Sequence, residues 1–293
     1  MKLLITGSES FVAKELIRKC NGKEIEIIGI DVLPKEKSEF EYHQIDITSN
    51  DLSQIIPDEL DAIIHLAALS RDPDCKGKAY ECFENNVMGT LNLIKHAKEK
   101  NVKQFIFASS EWVYDEFKEN QSKDEDYPIN SLSLTSEYAL SKLTSEINLK
   151  QQHLNGFCNV AILRFGIIYG PRKNNWSAVE AISSQIKNGD KITVGSLKNG
   201  RKFIHISDIC SGIIKSIGLE GFHTLNICGD KIITMKDLIE NCEKLFNKKI
   251  QVLEKSPNEQ NLRNPDNRKA KELLGWYPEI GIMDGIKSIE NFL

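Results

Sequence analysis

The stretch Lys2-Leu-Leu-Ile-Thr-Gly-Ser-Glu-Ser-Phe-Val-Ala13 decides the fold. Residues 2–6 form a short apolar run of strand length, Gly7 follows, and an amphipathic run of helical length begins at about residue 11 and ends near residue 20. A strand that turns directly into a helix places the free N–H groups of the helix's first turn at the strand's carboxyl end, where an anion is favoured. The alternation continues outward from there. Apolar runs at 25–30, 61–66, 103–108 and 159–165 read as strands, and stretches at about 78–100 and 135–153 have helical length. Nearly continuous apolar strands suit a sheet covered on both faces. Strand–helix alternation predicts an α/β fold with a doubly wound parallel sheet, binding its ligand at the carboxyl ends of the strands.

After Pro171 the pattern changes. Helical stretches recur at about 175–187, 207–218, 234–246, 266–274 and 281–291, with short strands between them. The expected organisation is a first domain over 1–165, with part of 200–218 returning to it, and a smaller α/β lobe over 166–293 that closes over the sheet. Segment 115–130 is polar, charged and contains Pro128, and reads as an exposed loop near the site.

Composition narrows the classes. The 293 residues carry 38 Lys+Arg against 42 Asp+Glu, a formal net charge of −4 without a basic block, which argues against nucleic acid as a partner. No apolar run approaches the length of a membrane span. The N-terminal run is broken too soon to be a secretory signal, so a cytoplasmic location is expected. The seven cysteines are scattered, with no Cys-x-x-Cys pair, so neither a disulfide framework nor a metal site is expected.

The turn Thr6-Gly-Ser-Glu-Ser-Phe-Val-Ala13 lies where a dinucleotide pyrophosphate would sit, with Gly7, Ser10, Phe11 and Val12 as contacts. The usual three-glycine pattern keeps only Gly7. Ala13 is a mild change at a packing position. Ser10 replaces a glycine that lets the backbone approach phosphate, although its hydroxyl can donate to a phosphate oxygen. Asp31, ending the second strand, suits the adenosine ribose hydroxyls and repels a 2′-phosphate, which favours NAD over NADP. Asp46 and Ile47 are candidates to flank the adenine. Leu66, Ala67 and Ala68 end the third run in small residues against which a flat cofactor can lie, and His65 beside them reads as structural.

The chemical signal is Tyr138-Ala-Leu-Ser-Lys142. A spacing of four on a helix puts both side chains on one face. The ammonium is expected to lower the phenol's pKa so that it works as a base near neutral pH, and to hold the nicotinamide ribose. Tyr-x-x-x-Lys alone is common by chance. Here it follows Ser109-Ser110-Glu111-Trp112-Val113-Tyr114, where a strand-end serine can hydrogen-bond the substrate hydroxyl that the tyrosine deprotonates.

With these motifs in this order, the chain resembles the extended short-chain dehydrogenases/reductases, specifically the NAD-dependent sugar epimerase/dehydratase family. The resemblance runs from residues 6–13 through His65-Leu-Ala-Ala68, Asn86-Val-Met-Gly-Thr90 and Ser109-Ser110 to Tyr138/Lys142. It continues through Leu163–Pro171 and Arg201–Asp208 and ends with Asp266–Trp276. It implies a Rossmann domain and NAD as cofactor. It makes Ser110, Tyr138 and Lys142 the catalytic set and brings Phe165 past the nicotinamide. Asn86, Ser110, Glu111, Arg172 and Arg201 then count as substrate contacts, with Arg201 clamping the diphosphate of a nucleotide sugar. A homodimer through the helices at 78–100 and 135–153 is also implied. Four departures stand out: Ser10, Asp115 where a glycine is usual, Ile167 where many epimerases carry asparagine, and Lys202 in place of a common aspartate.

The resemblance implies oxidation of the sugar, usually at C4, to a transient 4-keto sugar. An epimerase needs no further acid or base. A 4,6-dehydratase needs groups at the two positions after the serine, here Glu111 and Trp112, and the tryptophan favours epimerisation. A 4-ketoreductase is the near rival, against which Asp31 argues. A non-catalytic dinucleotide sensor is the rival of another class, and the intact Ser110/Tyr138/Lys142 set argues against it. Sugar choice is expected to reside in 171–200 and 250–268.

Overall fold

The computed structural model describes residues 1–293 apart from Glu36, Asp115, Glu119, Asn120 and Asn175. The described residues build a seven-stranded sheet. Its strands are β1 (Lys2–Thr6), β2 (Glu26–Asp31), β3 (Glu41–Gln44), β4 (Ala62–His65), β5 (Gln104–Ser110), β6 (Asn159–Phe165) and a last strand, Phe222–Ile227. From one edge the order is Phe222–Ile227, β6, β5, β4, β1, β2, β3. β1 lies parallel to both β2 and β4, β2 is parallel to β3, and β4 to β5. The strand order therefore reverses beside β1, the point at which such sheets open a crevice at their carboxyl ends.

The five predicted strands and the helices Phe11–Cys20 and Glu137–Leu154 form as expected. Leu3, Leu4, Ile5, Ile28, Ile30, Ile63, Ile64, Phe105 and Phe107 are all buried, which is why these strands read as apolar runs. The predicted 78–100 helix is in fact Ala79–Phe83 and Gly89–Glu99, joined by a π-helical turn at Glu84–Met88. The extra residue of that turn leaves Asn86 facing inward and buried. Gly89 is required just beyond it, because a Cβ there would lie 2.6 Å from the Ile47 side chain.

Two compact units are present. The first comprises Met1–Asp115, Pro128–Arg164 and Ile213–Leu225, and the second Glu116–Tyr127, Phe165–Gly212 and Asn226–Leu293. The second has its own core, in which Tyr169, Val179, Ile182 and Ile186 pack with Leu238, Ile239, Ile286 and Ile289. Its helices include Ala178–Asn188 and Met235–Phe246, each opened by a capping box, from Ser177/Glu180 and Thr234/Asp237.

The described residues of segment 115–130 form a largely exposed loop, as expected, with two buried exceptions. Lys123 is 1% exposed and Glu125 is also buried. Lys123 bridges Pro265, its Nζ donates to the Glu116 carbonyl at 2.8 Å, and it sits over the rings of Phe117 and Tyr127. Glu125 accepts the Asn226 N–H at 2.6 Å. Polar composition had hidden charges that are satisfied internally.

Candidate active site

At the end of β1, Gly7 has φ +64°, and a Cβ there would sit 2.8 Å from the Ala67 backbone. Only glycine fits both the left-handed conformation and that approach. The loop is braced from below by a chain of hydrogen bonds. Thr6 Oγ1 accepts from the Leu66 and Ala67 N–H groups, both at 3.1 Å, so its own proton goes to His65 Nδ1 at 2.7 Å. His65 therefore carries its proton on Nε2 and donates it to Thr90 Oγ1 at 2.9 Å, while Thr90 donates to the Asn86 carbonyl at 2.6 Å. Burial, reinforced by the nearby Lys142 ammonium, holds the imidazole down at about 3. It is a neutral structural strut.

Ser10 caps the Phe11–Cys20 helix, its Oγ accepting from Ala13 N–H at 3.3 Å. Its φ of −70° is ordinary for a side-chain residue, so serine replaces glycine here without backbone strain and keeps a hydroxyl proton to donate. No acidic residue occupies the helix's first turn. The Ser8 hydroxyl in the same turn is buried and makes no hydrogen bond. Asp31 accepts from the Glu9 N–H at 2.9 Å and the Leu33 N–H at 3.0 Å, tying the end of β2 to the turn. A glycine cradle, an acid-free helix N-terminus, an orphaned hydroxyl and a nearby carboxylate fit a dinucleotide.

Phe11, Val12 and Leu66–Ala68 are half-buried around the turn. Asp46 is exposed and accepts from the Thr48 N–H and hydroxyl, each at 2.8 Å. The Ile47 side chain lies in the core against Gly89.

Ser110, Tyr138 and Lys142 converge, all of them buried. Ser110 Oγ accepts the Trp112 N–H at 3.2 Å, and the Ser110 side chain favours the ionised form of the nearby Tyr138 phenol. Lys142 Nζ donates to the Ala108 carbonyl at 2.8 Å and stands 4.9 Å from the Phe107 ring and 6.0 Å from that of Tyr138. The expectation of a lowered phenol pKa is corrected. Burial pushes Tyr138 up to about 12 against the opposing pull of the Ser110 side chain, with the Cys75 and Cys82 thiols adding to the rise. Burial also brings Lys142 down to about 8. At these distances desolvation outweighs the attraction between ammonium and phenolate. Cys75 and Cys82, unremarked in the sequence, pack directly with Tyr138.

The expected substrate contacts fare unevenly. Glu111 is fully buried in a short turn directly after Ser110. The Asn86 side chain is buried: its amide N–H groups go to the Leu69 carbonyl and Ser141 Oγ, and its oxygen accepts the Leu69 N–H, so it clamps the chain after β4 to the Tyr138 helix. In the second unit, Arg172 donates to the buried Glu180 at 2.7 Å and to the Ile168 carbonyl, and Arg201 donates to the Gly200 and Asn261 carbonyls. Phe165 is buried at the end of β6. Ile167 packs on the second unit's core, and Lys202 Nζ donates to the Pro265 carbonyl at 2.8 Å. Asp115 lies outside the described residues.

The profile of the NAD dependent epimerase/dehydratase family matches residues 3–228, a range that includes the Gly7 turn and Ser110, Tyr138 and Lys142. The chain belongs to this family. The epimerase/dehydratase chain is 26% identical over 304 residues to UDP-glucuronic acid decarboxylase 5 of Arabidopsis thaliana, covering 99% of this chain and 89% of that protein. It is 29% identical over 265 residues to the UDP-glucuronate 4-epimerase of Thermodesulfobacterium geofontis, covering 88% and 80%. Among solved structures it resembles the UDP-glucuronic acid 4-epimerase of Bacillus cereus in complex with UDP-glucuronic acid and NAD. That match has a TM-score of 0.87 at 26% identity and covers 100% of this chain and 98% of that one. The family chain is thus an enzyme with NAD as its cofactor. Among the described residues, no helix is long and apolar enough to cross a membrane, and no group of metal-ligating side chains converges.

Proposed function

We propose that this enzyme is a nucleotide-sugar 4-epimerase acting through a transient 4-keto sugar, with a UDP-hexuronate as the substrate to try first. The observation that carries the reading is the burial of Ser110, Tyr138 and Lys142 together, with Lys142 one turn beyond Tyr138 on the same helix. In this reading Tyr138 accepts the sugar hydroxyl proton and later returns it. Ser110 hydrogen-bonds the same oxygen and steadies the phenolate. Lys142, charged below about pH 8, holds the cofactor ribose and supplies positive charge. Bound NAD supplies the capacity to take up and give back a hydride. Gly7, Ser10, Phe11, Val12, Asp31, Asp46 and Ala67 are the residues that would hold it. The first unit serves the cofactor, and the second, with Arg172 and Arg201, serves the sugar nucleotide.

Decarboxylation is the second reading, favoured by the similarity to the plant UDP-glucuronic acid decarboxylase. A 4-keto-hexuronate is a β-keto acid and loses its carboxyl group as CO2 unless the site holds it otherwise. Incubation with a panel of UDP-, GDP-, dTDP- and CDP-sugars, followed by NMR, separates the outcomes. A pair of C4 epimers without net consumption of NAD supports epimerisation, and a UDP-pentose with CO2 release moves the assignment to decarboxylation. Stoichiometric oxidation of NADPH points to the reductase, and a stable 4-keto-6-deoxy sugar to the dehydratase. Tyr138→Phe should lower turnover at least ~100-fold while NAD still binds; undiminished turnover sinks the reading.

Leu140, Ile147 and Leu154 recur every seven residues along the exposed side of the Glu137–Leu154 helix, and Tyr80 and Met88 are exposed on the Ala79–Phe83 helix and the Glu84–Met88 turn. This apolar stripe supports a homodimer. Seven free cysteines, six of them buried, suit a reducing cytoplasm.

A further inference from the structure

Tyr138, Lys142 and Glu146 stand at successive intervals of four on one helix, and all three are buried. The proton chemistry uses the first two. Glu146 is a buried carboxylate that the mechanism leaves out. It accepts from Ser109 Oγ at 2.5 Å. The Arg164 guanidinium grips it as a fork, Nε at 3.0 and 3.2 Å and Nη2 at 2.7 Å. Arg164 Nη1 reaches on to donate to Tyr114 Oη at 2.9 Å, with the guanidinium 4.9 Å from that ring's centroid. Although burial alone would lower it, Glu146 holds the Arg164 pKa above its usual value, so the guanidinium keeps its charge in the core.

These contacts form a circuit. Ser109 and Tyr114 bracket Ser110 and the Glu111–Val113 turn, one on each side. Glu146 lies one turn beyond Lys142 and Arg164 ends the stretch of β6 in the same unit. One carboxylate–guanidinium pair thus ties together the strand end that carries Ser110, the helix that carries Tyr138 and Lys142, and β6. Stability alone is a weak reason for such a pair, since apolar residues of similar volume do as well or better. Planar, two-point geometry is what the pair provides.

We propose that Glu146 and Arg164 are positioning residues, which hold Ser110 in register with Tyr138 and Lys142. The proposal rests on the reading of those three as the proton-transfer set. Glu146 also faces Lys142 electrostatically. The other groups around that ammonium are Tyr138 on the same helix, Cys75 and Cys82 from the 72–75 and 79–83 helices, neutral His65 from β4, and the Phe107 ring and Ala108 carbonyl of β5. Glu146 is the carboxylate among them, and it favours the charged lysine.

The test compares three full-length variants. Glu146→Gln strands the arginine charge and is expected to melt well below wild type. Glu146→Leu/Arg164→Met removes both charges together and is expected to melt within a few degrees of wild type. In this double variant kcat should fall about 10–100-fold, the scale of a misplaced catalytic group, with KM and NAD affinity within about threefold. The alkaline limb of its kcat profile should move to lower pH. Arg164→Lys, which keeps the charge but loses the fork, should fall between. A folded double variant with wild-type kcat and pH profile overturns the proposal, as does a kcat loss that follows melting temperature and vanishes on cooling. If wild type turns over no nucleotide sugar, the functional reading fails separately. The Tyr138 phenol titration, read as ultraviolet difference against Tyr138→Phe, still decides the positioning role: it shifts in the double variant if the pair places the phenol, and stays put if it does not.

Discussion

Gly7 shows how much one residue can carry. Its positive φ and the 2.8 Å approach to Ala67 leave no room for a methyl group. Gly7→Ala should destabilise the protein by about 1–3 kcal/mol and weaken NAD binding more than tenfold, as read by thermal melting and NADH fluorescence. Lys142 makes a pH prediction of a different kind. Its folded pKa of about 8 lies below the ordinary lysine value, so above pH 8 the unfolded chain binds more protons than the folded one. The cost of burying the ammonium is complete below pH 8 and is relieved as pH rises toward about 10.4. Wild type should therefore gain melting temperature relative to Lys142→Met between pH 8 and 10; a flat difference would show that the lysine is not desolvated in solution. Both residues stand out in the sequence as types in a pattern. Whether burial or the ammonium controls the Tyr138 phenol depends on distances of several ångströms, which spacing along a helix does not convey.

At the scale of elements, the Phe11–Cys20 helix depends on its cap. Ser10→Ala removes the hydroxyl that satisfies Ala13 N–H and should cost about 1 kcal/mol, whereas Ser10→Gly should cost only a few tenths, measured by urea denaturation. Equal losses would mean that the cap contributes nothing. The strands that read clearly are those whose residues are buried on both faces. β3, Glu-Tyr-His-Gln at 41–44, carries no such run and lies at the sheet edge, so its pattern was silent. The Phe222–Ile227 strand joins the opposite edge beside β6 from more than fifty residues away in sequence, an adjacency no local pattern encodes. The π-turn at Glu84–Met88 is hidden for a related reason. Asn86 is drawn inward by Leu69 and Ser141, both remote in sequence, and the tertiary partners outweigh the helical period.

For the whole molecule, the exposed heptad stripe Leu140, Ile147 and Leu154 leads to a prediction about assembly. Ile147→Glu should run as a monomer by light scattering where wild type runs as a dimer, with little change in subunit folding because the side chain is already exposed. An unchanged mass would place any interface elsewhere. The order of strand, glycine turn and helix, the Ser110 strand end and the Tyr138/Lys142 face follow from local period and residue type, and these determined the fold class and which residues are proposed for the cofactor turn and the proton transfer. Tertiary structure decided the rest. It placed segment 116–127 with the second unit, buried Asn86 and the Ile47 side chain, and joined Glu146 to Ser109 and Arg164. The physical reason is that backbone propensity and hydrophobic period act over a few residues. Burial, pKa and the pairing of charges are set by whatever neighbour the completed chain brings within about 3 Å.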